Sequence, residues 1–179
     1  MQPDDSIGYW LMYAQRSFSA ALAELLRRQC AKQGRAYVIT THQWGVLTHL
    51  AQAQELTIST LAKRLVVDAP AATTIVQRLE QSGLVERVRD REDQRLVKVS
   101  LSEEGREIMR TLQPVFDAFI EQLLSGQARQ AFLEDLQRFV ARVSPLVPES
   151  AERFGLLREH LGYRGRESHP ERKEQHDDL

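Results

Sequence analysis

The sequence predicts a mainly α-helical protein with one small β-hairpin. In long stretches at both ends of the chain, apolar residues recur every three or four positions, as on one face of a helix. Between these stretches lie two short helical segments with a tight break between them. Two segments of alternating apolar and polar residues follow, as in paired strands. With 42% hydrophobic residues among 179, the chain has enough apolar side chains for a packed core.

The first helices are defined by their end signals. A long helix is predicted from Ser6 to Gln33, with Gly34 ending it. A second helix is predicted from about Thr41, whose hydroxyl is expected to cap it, to about Gln54. These two helices precede the most informative part of the chain.

Two short helices follow. Thr57 is predicted to cap the first, and Asp68 is predicted to cap the second, which starts near residue 69. Pro70 lies in the first turn of the second helix, where the missing N–H costs nothing, and Gly83 ends the helix. Helix, tight turn and helix form a predicted helix-turn-helix.

After Gly83 the spacing of apolar residues changes from the helical pattern to an alternation of apolar and polar residues. Residues 84–89 and 96–101 are predicted to form a two-stranded hairpin, and Ser102 then caps a long helix that Pro114 is expected to kink. Ser125 and Gly126 interrupt this helix before another one that reaches the break at residues 144–148. A last short helix is predicted from a separate set of apolar residues, namely Phe154, Leu157 and Leu161.

Composition argues against several classes of protein. The few glycines form no phosphate-binding loop, the five His form no HExxH motif, and the single cysteine cannot form a CxxC site. No nucleophile with a base and an orienting group can be named, so we expect neither an enzyme, nor a cofactor, nor a metal site. No stretch is apolar enough to span a membrane and no signal peptide is evident, which predicts a cytoplasmic protein without a membrane partner.

The order of elements describes a winged helix-turn-helix, which reads double-stranded DNA with its second helix and its hairpin. The net charge is only −1, but the hairpin is locally basic. We predict phosphate or groove contacts from its cations, namely Arg87, Arg89, Arg91, Arg95 and Lys98. On the recognition helix, residues 69–82, the predicted DNA contacts are Pro70, Ala71, Thr73, Thr74 and Gln77. Threonine methyls and a glutamine favour an A·T-rich operator, as does arginine in a narrow minor groove.

The wing segment GLVERVRDREDQRLVKVSLSEEG, residues 83–105, resembles the multiple-antibiotic-resistance regulator (MarR) family of bacterial repressors. Asp90, Arg91, Asp93 and Arg95 match the family's D-R-x-D-x-R signature, whereas Gln94 replaces the arginine often found there. The resemblance covers residues 7 to 143. It implies a homodimeric repressor that reads a pseudo-palindromic operator and whose DNA affinity is lowered by a small molecule.

The resemblance also implies a division of the chain. Residues 1–36 would form an N-terminal dimerisation helix and residues 37–101 the winged helix-turn-helix, with C-terminal dimerisation helices over residues 102–161. The C-terminal helices are too apolar for a small winged helix to bury alone, which fits a dimer. Residues 162–179 carry no apolar face and are predicted to be a disordered polar tail.

Family effectors often enter a crevice between the dimerisation helices and the winged helix. The predicted lining is aromatic and cationic, which suits a small aromatic or phenolic acid, and consists of Tyr9, Trp10, Tyr13, Arg16, His42 and Trp44. An aromatic stripe at helical spacing is more often part of a core than of a ligand site. The residues also allow a redox sensor through Cys30, a metal sensor using Glu24, Cys30, His42 and Glu107, or a helical protein-binding adaptor without DNA binding.

Overall fold

The computed structural model describes residues 6–35, 37–89 and 96–146. This part of the chain forms six α-helices and a three-stranded antiparallel sheet. The elements in chain order are α1 (Ile7–Lys32), α2 (Thr41–Ala53), β1 (Glu55–Thr57), α3 (Ile58–Leu65), α4 (Ala69–Gln81), β2 (Val85–Arg89), β3 (Val97–Leu101), α5 (Glu103–Leu123) and α6 (Gly126–Val143), followed by a short 3-10 turn (Ser144–Leu146). The predicted fold class is confirmed. The predicted segment around Phe154 and the polar tail lie outside the described residues.

The predicted cap of α2 was wrong by one residue. Thr40, not Thr41, caps the helix: its hydroxyl accepts a hydrogen bond from Gln43 N at 3.3 Å, and the Gln43 side chain accepts one from Thr40 N at 2.9 Å. This reciprocal pair satisfies two backbone donors that the start of a helix leaves unpaired. A cap at Thr41 would place Trp44 at the third helical position, where it has no acceptor to complete the pair.

The helix-turn-helix forms where it was predicted. Asp68 caps α4 by accepting a hydrogen bond from Ala71 N at 2.7 Å. Val66 adopts a left-handed conformation, with φ of 56°, and this reverses the chain between α3 and α4. Gly83, with φ of 72°, follows α4 and allows the chain to turn into β2.

The sheet has three strands rather than the predicted two. The strand order is β1-β3-β2, and β1 pairs with β3 so that Leu56 lies opposite Val99. In β2, Arg87 lies opposite Val99 on the other side. The hairpin is therefore anchored to the residues just before α3, which ties the wing to the helix-turn-helix.

The core lies where α2, α4, the sheet and the first half of α5 meet. Its largest fully buried side chains include Ile39, Leu47, Leu50, Leu61, Leu79, Leu84 and Ile108. The loop after α1 is joined to α5, because the Arg35 guanidinium forms an ion pair with Glu104 and donates to the Tyr37 hydroxyl at 3.0 Å. Burial raises the pKa of the Tyr37 hydroxyl above its usual value.

The start of α5 is bonded to the end of the recognition helix. Ser102 donates its hydroxyl to Gly83 O at 2.6 Å and its backbone N–H to Leu84 O at 3.1 Å. The same hydroxyl accepts from Gly105 N at 2.9 Å and caps α5. Gly105 itself packs directly against the Leu84 carbonyl. The start of α5 is therefore in direct contact with the residues that follow α4.

The outer helices leave an apolar surface exposed. No residue of α6 is buried in the described part of one chain, and α5 continues through Pro114 to an exposed end. The exposed large apolar side chains of the outer helices include Ile7, Tyr9, Trp10, Met12, Tyr13, Leu123, Phe132, Leu133, Phe139 and Val143. Within the described ranges, no helix combines the length and the hydropathy needed to cross a membrane.

Candidate nucleic-acid interface

Helix α4 presents a polar face to solvent. It buries Ala72, Val76 and Leu79 against the core, and so turns the residues between them outward. Among the predicted contacts, Pro70, Thr74 and Gln77 are exposed, whereas Ala71 and Thr73 are half-buried. The structure thus brings the predicted readout residues onto one exposed face of a helix capped at both ends.

The two threonines of α4 have their hydroxyl hydrogens engaged. Thr73 Oγ1 donates to Ala69 O at 2.8 Å, and Thr74 Oγ1 donates to Pro70 O at 3.0 Å. In this state each hydroxyl accepts hydrogen bonds from a partner but does not donate one. A base edge that offers a donor, such as the amino group of adenine or cytosine, suits them, as does a thymine methyl.

A further cation on this face was missed in the sequence. Arg78 is exposed and lies four residues after Thr74, one turn further along the same side of α4. No carboxylate lies within ion-pair distance of it among the described residues. The four-residue spacing between Thr74 and Arg78 could have identified this cation in the sequence, because positions i and i+4 share a helix face.

The wing cations fall into two groups. Arg89 is exposed at the end of β2, while Arg91 and Arg95 lie outside the described residues. Arg87 and Lys98 are instead held by carboxylates: Arg87 lies 2.5 Å from Glu80 of α4, and Lys98 lies 2.7 Å from Glu55 of β1. Arg87 lies on the same face of the sheet as the buried Val99, whereas Lys98 lies on the opposite face beside the exposed Val88.

The predicted effector residues lie in two different environments, one exposed and one buried. Tyr9, Trp10 and Tyr13 contact one another on the first turns of α1, with ring centroids 5.5 to 6.0 Å apart and with 44% to 55% of each residue exposed. Arg16 and His42 are exposed as well. Trp44, in contrast, is only 3% exposed and is part of the core. Sequence periodicity alone did not distinguish these two environments.

A second group of aromatic contacts joins side chains of α5 to one residue of α1 and one of α2. Trp44 contacts Phe116 with ring centroids 5.5 Å apart, and Phe18 of α1 contacts Phe119 with centroids 6.0 Å apart. Phe116 and Phe119 lie one turn apart on α5, so the two pairs lie side by side. These ring contacts join α1, α2 and α5. Phe18, Phe116 and Phe119 were not among the predicted effector residues.

Two further features bear on ligands. An open cleft of about 420 Å³ lies beside the sheet and contains none of the predicted effector residues; it is lined by Leu50, Ala51, Gln54, Glu55, Ser100, Leu101 and Arg106. Cys30 is only 1% exposed. Within the described ranges, no three His, Cys, Asp or Glu side chains are grouped closely enough to hold a metal ion.

A helix-turn-helix with an exposed recognition helix, a hairpin wing and flanking helices defines a winged-helix DNA-binding protein. The MarR family profile matches residues 39–97, which run from just before α2 through the helix-turn-helix and β2 to the first residue of β3. The chain is 35% identical over 109 residues to the HTH-type transcriptional regulator FarR of Neisseria gonorrhoeae, covering 59% of this chain and 73% of that protein. The chain belongs to the MarR family and is a transcriptional regulator with a DNA-binding fold, not an enzyme.

Solved structures agree in fold. A mutant of Escherichia coli MarR in complex with operator DNA is 28% identical, with a TM-score of 0.63, and the match covers 75% of this chain and 92% of that one. NadR in complex with 4-hydroxyphenylacetate is 29% identical, with a TM-score of 0.56, and the match covers 77% of this chain and 94% of that one.

Proposed function

We propose that the protein is a cytoplasmic homodimeric repressor that binds a pseudo-palindromic operator in double-stranded DNA and is released by a small aromatic or phenolic acid. The observation that carries this proposal is the exposed face of α4, whose polar readout residues and exposed Arg78 lie beside a basic wing. The similar E. coli protein bound to operator DNA supports the same use of the fold.

Dimerisation is supported by the apolar surface of the outer helices. Phe132, Leu133 and Phe139 on α6 are 40% to 48% exposed, and the aromatic cluster at the start of α1 is exposed to a similar degree. Extended apolar surfaces are rare on soluble monomers and usually mark a place where a partner binds. A twofold dimer places two copies of α4 about 34 Å apart, one turn of DNA.

The chemistry of α4 favours A·T base pairs. Thr73 and Thr74 are acceptors in the observed conformation and present methyl groups, and Gln77 forms a bidentate pair with adenine most readily. The wing arginines, including Arg91 and Arg95 of the predicted signature, suit the narrow minor groove of such sequences. We therefore propose thymines or adenines at the bases facing these three residues.

The proposed effector site is the crevice of Trp44, Phe116, Phe18 and Phe119. Their rings provide an apolar aromatic surface that suits an aromatic ligand. Arg16 of α1 and His42 of α2, which are both exposed, are the proposed partners of a carboxylate. NadR, a structural neighbour, was crystallised with a phenolic acid, which supports this class of ligand. The burial of Cys30 favours this site over a redox sensor, because sensor thiols are accessible.

The first test is a gel shift with DNA from upstream of the protein's own gene. The proposal predicts a specific complex that weakens steeply as salt rises, because bound phosphates release counterions. Addition of aromatic acids that raise the melting temperature should dissociate it. A protein-binding adaptor would give no specific shift even at low salt, which would contradict the proposal.

The second test concerns the dimer. Replacing Phe139, which is 40% exposed on α6, by glutamate should yield monomers in sedimentation experiments and should weaken operator binding. Glu134→Gln, on the same helix, is the matched control and should leave the dimer intact. A Phe139→Glu protein that remains dimeric and binds normally would contradict this interface.

A further inference from the structure

We infer that the ion pair between Glu80 and Arg87 is a strut that holds the wing at a fixed angle to the recognition helix, so that Arg87 is a positioning residue rather than a DNA contact. This inference rests on the proposed DNA-binding function. It reverses the role predicted for Arg87 from its charge and its place in the hairpin.

The pair joins the two elements that would contact DNA. Glu80 lies at the last turn of α4, and Arg87 lies in the middle of β2, the first strand of the wing. Their charged atoms, Glu80 Oε2 and Arg87 Nη2, are 2.5 Å apart, so the two groups are in direct contact as an ion pair. The segment between the two residues includes the turn at Gly83.

The side chain of Arg87 lies against the protein. Alternation along β2 puts it on the same face as Val85, which is buried, and opposite to the exposed Glu86 and Val88. Its side chain is 29% exposed, and the Nε atom is fully buried without a hydrogen-bond partner among the described residues. A guanidinium that contacted a phosphate from here would first have to leave Glu80.

A gain in folding stability alone does not explain why positions 80 and 87 carry charged residues. A glutamate in the last turn of a helix faces the negative end of the helix dipole, which is unfavourable. A buried Nε without an acceptor costs free energy as well. Charged pairs that cost stability are sometimes retained because they fix one geometry, and here the geometry is that between α4 and the wing.

The two roles of Arg87 predict opposite effects of Glu80→Gln on operator affinity. If the pair is a strut, the neutral amide loosens the wing and weakens binding about three- to ten-fold. If Arg87 contacts phosphate, the same change frees the guanidinium and removes a negative charge near DNA, so binding becomes tighter.

The experiment is a double-mutant cycle on operator affinity, measured by fluorescence anisotropy over a salt series. Glu80→Gln, Arg87→Gln and the double variant should lose similar affinity, with no further loss in the double variant and with the wild-type salt slope. Arg89→Gln, the exposed control two residues away, should instead make the slope shallower by about 1.8, because each of the two protomers loses one phosphate contact worth about 0.9.

Two results would contradict the inference that Arg87 positions the wing through its ion pair with Glu80. One is tighter binding by Glu80→Gln, and the other is a shallower salt slope for Arg87→Gln with additive losses in the double variant. Thermal unfolding checks that each variant is folded; if Arg87→Gln is not, the sign of the Glu80→Gln effect decides alone. A wild-type protein that binds no operator contradicts the proposed function itself, which separates the two failures.

Discussion

Gly105 is the position at which the smallest change should have the largest structural cost. It lies in the first turn of α5, where its backbone N–H donates to Ser102 Oγ at 2.9 Å. A Cβ at this position would be 2.0 Å from the carbonyl oxygen of Leu84. Because carbon and carbonyl oxygen in close contact are about 3.3 Å apart, Gly105→Ala must move α5 or the chain after α4 by about 1.3 Å.

The cost follows from the bonds that this movement breaks. Ser102 N to Leu84 O, at 3.1 Å, and Ser102 Oγ to Gly83 O, at 2.6 Å, both cross the same junction. Losing two or three hydrogen bonds of about 1 kcal/mol each, with some strain, should lower the free energy of unfolding by about 2 to 4 kcal/mol. Without the contact, alanine would stabilise a helix by up to about 1 kcal/mol relative to glycine.

Urea unfolding followed by circular dichroism, at one fixed protein concentration, measures the difference. Gly34→Ala is the matched control: no atom of the described residues lies within 4 Å of its Cβ, but φ is 65°, so only the backbone cost of about 1 kcal/mol is expected. A Gly105→Ala protein as stable as the wild type, or more stable, would refute the tight junction between α5 and the end of α4.

Three further predictions concern single side chains. Val66→Gly should raise the free energy of unfolding by about 0.5 to 1 kcal/mol, because a β-branched residue is strained at φ of 56°; a loss of stability in urea unfolding would contradict it. Hydrogen bonds from Arg27 and then Arg28 hold the pKa of the Glu24 carboxyl at about 2, below its ordinary 4.5, so the stabilisation is present above pH 4.5 and is lost as the pH falls toward 2. Arg27→Ala should raise that pKa toward 4.5 in an NMR titration, and an unchanged pKa would count against the pairing. Thr74→Ala should change the preferred bases in a binding selection at constant salt slope, whereas Arg78→Ala should weaken binding to all sequences and make the slope shallower by about 1.8, or about 0.9 for each protomer; the reverse pattern would exchange their roles.

The elements that depend on neighbouring residues could be predicted from the sequence. Asp68, Gly83 and Ser102 each act within a few residues of their own position, and the helices begin or end where these residues indicate. The cap of α2 was placed one residue late, because Thr40 and Thr41 are adjacent and only the side chain of Gln43 distinguishes them.

Contacts between distant elements could not be predicted in the same way. Strand β1 has three residues, too few to show alternation, and it forms because Leu56 pairs with Val99 far along the chain. Arg87 was counted as a DNA contact by its charge, but its orientation depends on Glu80 in another element. The ring contact of the proposed effector site likewise depends on α5 bringing Phe116 against Trp44, and no local sequence pattern indicates it.

The central claim is that two copies of the chain bind one duplex through paired recognition helices and wings. Hydroxyl-radical footprinting of the upstream DNA, with the stoichiometry of the same complex determined by sedimentation, tests it directly. The expected result is two protomers per duplex and two symmetric protected segments whose centres are about 10 base pairs apart. A single protected segment, one protomer per duplex, or no protection at low salt would contradict it.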